Sequence, residues 1–140
     1  MEFGEHIIPL NTIIYKTDLT FVFLNHKPIR RFHILISPIR KIKFYHEMTA
    51  EEMKDMHIIV QKMMKIFKIF CDGFFIFLQD GKSAGQTVRH VHMHIVPRHE
   101  NDDLEYEYSS SKRKQMDLKE NINDANILKN IIKNFNQIIK

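Results

Sequence analysis

Residues 90–96 read HVHMHIV, and this alternation constrains the fold more than any other stretch of the chain. In an extended strand successive side chains point to opposite faces, so His90, His92 and His94 share one face, roughly 6.6 Å apart from one to the next. Val91, Met93 and Ile95, followed by Val96, are left for a hydrophobic core. One side of this strand anchors it and the other displays imidazoles.

The rest of the chain supplies partners for such a strand. Thr12–Tyr15 and Thr20–Leu24 are β-branched and aromatic runs separated by KTDL, the pattern of a hairpin. His33–Ser37 is a further apolar strand, stopped by Pro38. From Met48 to Phe70 the period changes: Met53, Met56, Val60, Met63, Met64, Phe67 and Phe70 recur at steps of three and four, as in an amphipathic helix. Thr49 and Glu52 form a capping box at its start, and Gly73 is the expected stop. Phe74–Leu78 reads as a buried strand, QDGKSAGQ as a loop, and His90–Val96 as the last strand, ended by Pro97. Residues 99–116 are polar and read as a mobile segment. Leu118, Ile122, Ala125, Leu128, Ile132, Phe135 and Ile139 then mark a C-terminal helix over residues 117–140. The expected architecture is a single α+β domain spanning residues 1–140, with a core over about 3–98. An antiparallel sheet carries one long helix packed on it, and a C-terminal helix follows.

Composition narrows the class. The 140 residues suffice for one domain with a normal core. The single cysteine, Cys71, allows no disulfide framework and no thiolate zinc finger, which favours a reducing compartment. MEFGEHIIPLN lacks the long apolar run of a signal peptide. The longest mainly apolar stretch is interrupted by Lys68, Asp72 and Gly73, so no membrane span is expected. A net charge of +4 and a pI near 9.2 suit an anionic ligand or simple solubility. A nucleic-acid partner is disfavoured, because no DNA-binding motif or long basic tract is present.

Three chemistries are open to the histidine face: metal ligation, nucleophilic catalysis, or a hydrogen-bonded cluster without function. The preceding GKSAGQTVR offers neutral donors and backbone N–H groups, which suit phosphate oxygens. Arg89 alternates to the face opposite His90. His26, His46, His57 and His99 read as surface residues.

HVHMHIV also resembles the signature of the histidine triad family. FGEHII, LTFVFLNHKPI, FHILISP and LQDGKSAGQTVRHVHMHIVPR extend the likeness from Phe3 to Arg98 and resemble the fragile histidine triad branch, the dinucleoside polyphosphate hydrolases. The resemblance implies hydrolysis of diadenosine triphosphate to AMP and a nucleoside diphosphate through a nucleotidyl-histidine. Phosphoramidate cleavage, a longer phosphate chain, or a nucleotide-binding signalling module with slow turnover stand as alternatives. It implies His92 as nucleophile, His94 on the phosphate, and His90 and His33 supporting the nucleophile. It implies Gln86, with the backbone of Gly85, Thr87 and Val88, around the phosphates. Gln79 and His6 become substrate contacts, and Asn25 becomes the ribose contact. No tightly bound cofactor or metal is implied; Mg²⁺ can arrive with the substrate. A homodimer with joined sheets and a cytoplasmic location, with the nucleus also open, complete the picture. One departure stands out. Arg31-Phe32 replaces the Pro-Gly usual before the strand histidine, so a different strand entry is expected near His33.

Overall fold

The computed structural model describes residues 1–102 and 113–138. Five antiparallel strands form one sheet in the order β3 (Ile13–Lys16), β4 (Thr20–Leu24), β5 (Ile34–Pro38), β7 (Met93–Arg98), β6 (Gly73–Leu78). A separate two-stranded hairpin, β1 (Glu2–Phe3) and β2 (His6–Ile7), precedes it. The helices are α1 (Ala50–Phe67) and α2 (Leu118–Ile138). This is the α+β arrangement expected from the sequence.

Alternation in the strands sorts two cores. Val22, Leu24, Ile34, Ile36 and Ile95 pack with Met56, Met63, Ile66 and Phe67 of α1 and with Ala125, Leu128 and Ile132 of α2. Full burial of each large apolar side chain stabilises by about 1.5–3 kcal/mol. The opposite face gathers Phe21, Phe23 and Leu35 with Phe3 from the amino-terminal hairpin. Leu35 pairs with His94, and His94 pairs with Phe77 on its other side, so the histidine face and this second core share one side of the sheet.

Local hydrogen bonds explain where elements begin. Thr49 Oγ1 accepts from Glu52 N–H at 3.1 Å and Glu52 Oε1 accepts from Thr49 N–H at 2.9 Å, the expected capping box. Asp55 Oδ2 on α1 accepts from Thr17 and Thr20 hydroxyls, both at 2.6 Å, which ties the β3–β4 turn to the helix. Arg31 bonds Asp124 at 3.0 Å and so ties α2 to the β4–β5 loop.

Several boundaries differ from the sequence reading. Helix α1 ends at Phe67, and Gly73 opens β6 rather than stopping the helix. Strand β6 is half-buried with Ile76 exposed, because it is the sheet edge and lacks an outer neighbour among the described residues. Strands β5 and β7 run through Pro38 and Pro97 instead of ending before them. The last strand begins at Met93, not His90. Val91 N–H donates to Ile42 O at 2.7 Å and Ser37 Oγ donates to Val91 O at 2.9 Å, so residues before Met93 find partners outside the ladder. The helix proposed over 117–140 is observed as Leu118–Ile138, with Leu118 exposed. The mobile segment expected over 99–116 falls largely outside the described residues.

The strand entry keeps its shape by a different route from glycine. Phe32 adopts φ 65°, a left-handed conformation costly for a residue with a Cβ. Its ring packs on Phe70 at 5.4 Å and under the Arg31 guanidinium at 4.5 Å, contacts that offset the strain. Phe32→Val should therefore lose about 2 kcal/mol or more in denaturant unfolding, since a β-branched side chain fits this φ worst and the ring contacts go. Phe32→Gly should stay within about 1 kcal/mol of wild type, strain relief cancelling lost packing. Equal stability of Phe32→Val and wild type would remove this account.

Candidate active site

A cleft of about 1140 Å³ opens on the histidine face of the sheet. His92 and His94 line it, as do His6, Asn25, Gln79, Gly85, Thr87 and Val88, all expected from the sequence. His33, His90 and Gln86 do not line it. Among the described lining residues there is no Asp or Glu, while Lys27 and Arg113 are cationic.

Two hydrogen-bond chains fix the imidazole tautomers. In the first, Gly4 N–H donates to His90 Nδ1 at 3.0 Å, so His90 carries its proton on Nε2, which donates to Pro38 O at 2.7 Å. The carbonyl of His90 then accepts from His92 Nδ1–H at 2.6 Å. His92 is left with an unprotonated Nε2 on the cleft side. His90 supports the nucleophile position through its backbone carbonyl, while its ring holds the strand entry to β5 and the amino-terminal turn. Both His90 ring nitrogens are engaged, so the three imidazoles do not form a chelating set. Among the described residues, no group of three or more His, Cys, Asp or Glu side chains is arranged to hold a metal.

In the second chain, Ile29 N–H donates to His33 Nδ1 at 3.0 Å. His33 therefore donates from Nε2 to His94 Nδ1 at 2.9 Å. His94 must then carry its own proton on Nε2, and that buried nitrogen has no hydrogen-bond partner among the described residues. His33 thus serves His94 rather than the His92 side chain. The outcome is a lone pair on His92 and an N–H donor on His94, with ring centroids 4.9 Å apart, closer than the strand repeat suggests. Phe3 packs edge-on against His92 at 5.0 Å, and Phe77 stacks on His94 at 4.1 Å, which limits rotation of both rings.

Burial keeps these imidazoles neutral. It pushes the pKa of His92 down to about 4 and that of His33 to about 3, with nearby positive charge adding to the His33 shift. Burial also lowers His94 and His90. At neutral pH the His92 nitrogen is available without a base to deprotonate it.

The glycine loop is arranged differently from expectation. Gln86 Oε1 accepts from Gly81 N–H at 2.7 Å and its Nε2 donates to Val88 O at 2.9 Å, so this side chain staples the loop and is not presented to the cleft. The Gly85 N–H donates to Lys82 O at 3.0 Å and is likewise engaged within the turn. Gly85 itself is required by its φ of 90°, and a Cβ there would sit 2.6 Å from Gln79 Nε2. Asn25 Oδ1 accepts from Lys27 N–H at 3.0 Å, which leaves its NH₂ as a donor. That NH₂ lies 3.4 Å from His33 Nε2, and because both atoms carry hydrogen here they do not bond.

The sequence reading missed four contributors. Gly4 fixes His90 and could carry no side chain: its φ is 56°, and a Cβ would meet Val88 Cγ1 at 2.7 Å. His26, read as a surface residue, is exposed yet lines the cleft. Arg113 and Asn121 line it from the carboxy-terminal side, and Asn121 Oδ1 is buried without a partner among the described residues. The glycine inside FGEHII was a signal for the first; nothing in the polar composition pointed to the last two.

Residues 9–101 match the HIT domain family. The chain belongs to that family. A bis(5'-adenosyl)-triphosphatase of Dictyostelium discoideum is 35% identical over 124 residues, 84% of this chain and 83% of that protein. A bifunctional bis(5'-adenosyl)-triphosphatase/adenylylsulfatase of Arabidopsis thaliana is 32% identical over 127 residues, 86% of this chain and 69% of that one. The structure of a Plasmodium falciparum diadenosine triphosphate hydrolase, solved with cyclomarin A, superposes with a TM-score of 0.83 at 33% identity, covering 95% of this chain and 84% of that chain. In this HIT domain the cleft wall carrying Arg113 and Asn121 lies beyond the matched residues.

Proposed function

We propose that this HIT domain hydrolyses diadenosine triphosphate, or a close dinucleoside polyphosphate, to AMP and a nucleoside diphosphate. The observation that carries the reading is the pairing of an unprotonated His92 Nε2 with a His94 N–H donor in a cleft whose described walls carry cations and no carboxylate. The His92 lone pair attacks the α-phosphorus, and the bond from that phosphorus to the bridging oxygen breaks. The bridging oxygen leaves with the nucleoside diphosphate as an anion, helped by phosphate second ionisations near pH 6. Water then attacks the nucleotidyl-histidine, the P–N bond breaks, and AMP and neutral His92 are regenerated. His94 Nε2–H donates to a phosphate oxygen, and Asn25 NH₂ to the ribose. No resident metal is required in this scheme. With no carboxylate on the described walls, Mg²⁺ would be held by the polyphosphate and enter with it.

The test is to quench a reaction with α-labelled substrate and map the label. An adenylyl group on His92 is expected. Absence of hydrolysis, or label on another residue, would end this reading. Turnover of triphosphate-, tetraphosphate- and amine-linked adenosine substrates ranks the substrates.

We further propose a homodimer joined through β6, whose outer edge has no strand partner among the described residues and carries the exposed Ile76. Sedimentation should give twice the chain mass at micromolar concentration, and Ile76→Lys should shift it toward monomer; a monomeric wild type would refute this. Among the described residues no helix is long and apolar enough to cross a membrane. The buried thiol of Cys71 suits the cytoplasm proposed for this chain.

A further inference from the structure

We propose that Asn121 reads the base of the bound nucleotide, its side-chain carbonyl accepting from the 6-amino group of adenine, so that the cleft prefers adenine to a purine with oxygen at that position. This rests on the hydrolase reading for its nucleotide and adds a residue outside the matched family region. The starting point is an acceptor with nothing to accept. Asn121 lines the cleft, and its Oδ1 is shielded from solvent without a hydrogen-bond partner among the described residues. A buried acceptor in that state destabilises the empty site until a donor reaches it. The terminal amide torsion of asparagine is soft, and this oxygen has no bond among the described residues to give up when it turns toward a ligand.

The backbone under Asn121 is held in place. Asp117 Oδ1 accepts from Glu120 N–H at 2.8 Å, and Asp117 O accepts from Asn121 N–H at 3.1 Å, which fixes the first turn of α2. Met116 N–H donates to His26 O at 2.7 Å, so that turn is fastened to the loop carrying Asn25, the proposed ribose contact. The groups nearby suit the faces of a base. Leu118, three residues before Asn121, shares its side of the helix, and Ile8, Pro9, Leu24 and Met116 line the same cleft. Leu24 directly precedes Asn25 and packs in the core with Ala125, one turn beyond Asn121. A base joined to a ribose at Asn25 falls among these groups. Apolar side chains hold a ring by its faces, while specificity comes from a few placed polar groups. An asparagine amide matches adenine in particular, because its carbonyl takes the N6 amine while its NH₂ meets N7.

The experiment changes the purine at one position. Inosine carries oxygen where adenosine carries the amine, so an acceptor on the protein would face an acceptor on the base. Binding of AMP and IMP is measured by calorimetry for wild type, Asn121→Leu and Asn121→Asp. Wild type should bind AMP about 10- to 100-fold more tightly than IMP. Asn121→Leu should bring the two affinities within about threefold of each other, chiefly by weakening AMP. Asn121→Asp keeps an acceptor at the same place, so it should retain most of the preference while its added charge weakens both nucleotides alike. Equal binding of AMP and IMP by wild type, a preference for IMP, or an unchanged ratio in Asn121→Leu each overturns the proposal. Asn121→Leu removes a buried unpaired acceptor, so it should melt no lower than wild type; a lower melting temperature with the ratio intact would make Asn121 a structural residue and also overturn it. If Asn121→Leu does not fold, the wild-type ratio and its retention in Asn121→Asp decide. A wild type that prefers AMP but cleaves neither diadenosine triphosphate nor its inosine counterpart would end the hydrolase reading and leave the base reading standing. Hydrolysis of both at equal kcat/KM would do the reverse.

Discussion

Replacing His92 with alanine is expected to lower turnover of diadenosine triphosphate by on the order of 10⁴-fold or more, with substrate affinity within about threefold of wild type. The asymmetry follows from how the ring is held. The His92 Nδ1–H is spent on His90 O, and the ring leans on Phe3, so its remaining function is the Nε2 lone pair. In the proposed scheme binding depends on other groups, including Asn25 and His94. His92→Asn is the sharper variant. Its amide can still donate toward His90 O, so the strand entry keeps its hydrogen bond, yet it offers no nucleophilic nitrogen. Rapid-mixing kinetics should show no adenylyl-protein in either variant. Wild-type-like turnover by either one would remove the covalent route, and a parallel collapse in affinity would make His92 a binding residue instead.

Much of this site was legible from residues 90–96, because a period of two needs no tertiary information to be interpreted. The alternation placed His92 and His94 together, and the Thr49/Glu52 pair marked the start of α1. What the pattern could not carry was which nitrogen each imidazole exposes. That is decided for His92 by the carbonyl of His90, and for His94 by Ile29 N–H acting through His33, a ring 61 positions away in sequence. Gln86 illustrates the reverse error. An amide in a glycine loop suits phosphate chemically, but here its two ends satisfy Gly81 and Val88.

The helix boundary was misplaced for a related reason. Periodicity continues through Phe70 because Phe70 still packs on the core from the turn after α1, so apolar spacing outlasts the helix. Likewise, Phe74–Leu78 looks buried by composition, whereas its place at the sheet edge is set by strand order. The Arg31-Phe32 pair looked like a threat to His33. Instead His33 is fully buried with both nitrogens bonded, and Phe32 takes up the strain. Residues 113–116 read as part of a mobile segment because their role depends on contacts with His26 and Lys27 roughly ninety positions earlier.

The same burial that readies His92 should make the fold acid-labile. The pKa of a free histidine lies near 6.5, while the folded values are about 4 for His92 and about 3 for His33, with His90 and His94 also lowered. Between the folded and unfolded values the unfolded chain binds more protons, so stability falls as pH falls. The contribution is complete above about pH 6.5 and is lost as pH drops toward 4 and below. For His92 and His33 it amounts to roughly 3–5 kcal/mol each, against a total of about 5–15 kcal/mol for a domain. The carboxyl of Glu52, lowered by Arg40, acts in the same direction below its ordinary range. Thermal melts should thus hold a steady Tm from pH 8 to about 6.5, drop steeply below pH 6, and lose the folded baseline near pH 4. His92→Asn should flatten the slope by about one proton, because asparagine does not titrate. A Tm unchanged between pH 7 and 5 would show that these rings are not held neutral. The nucleophile would then need a separate base to deprotonate His92, and among the described residues the cleft walls contain no carboxylate to serve as one.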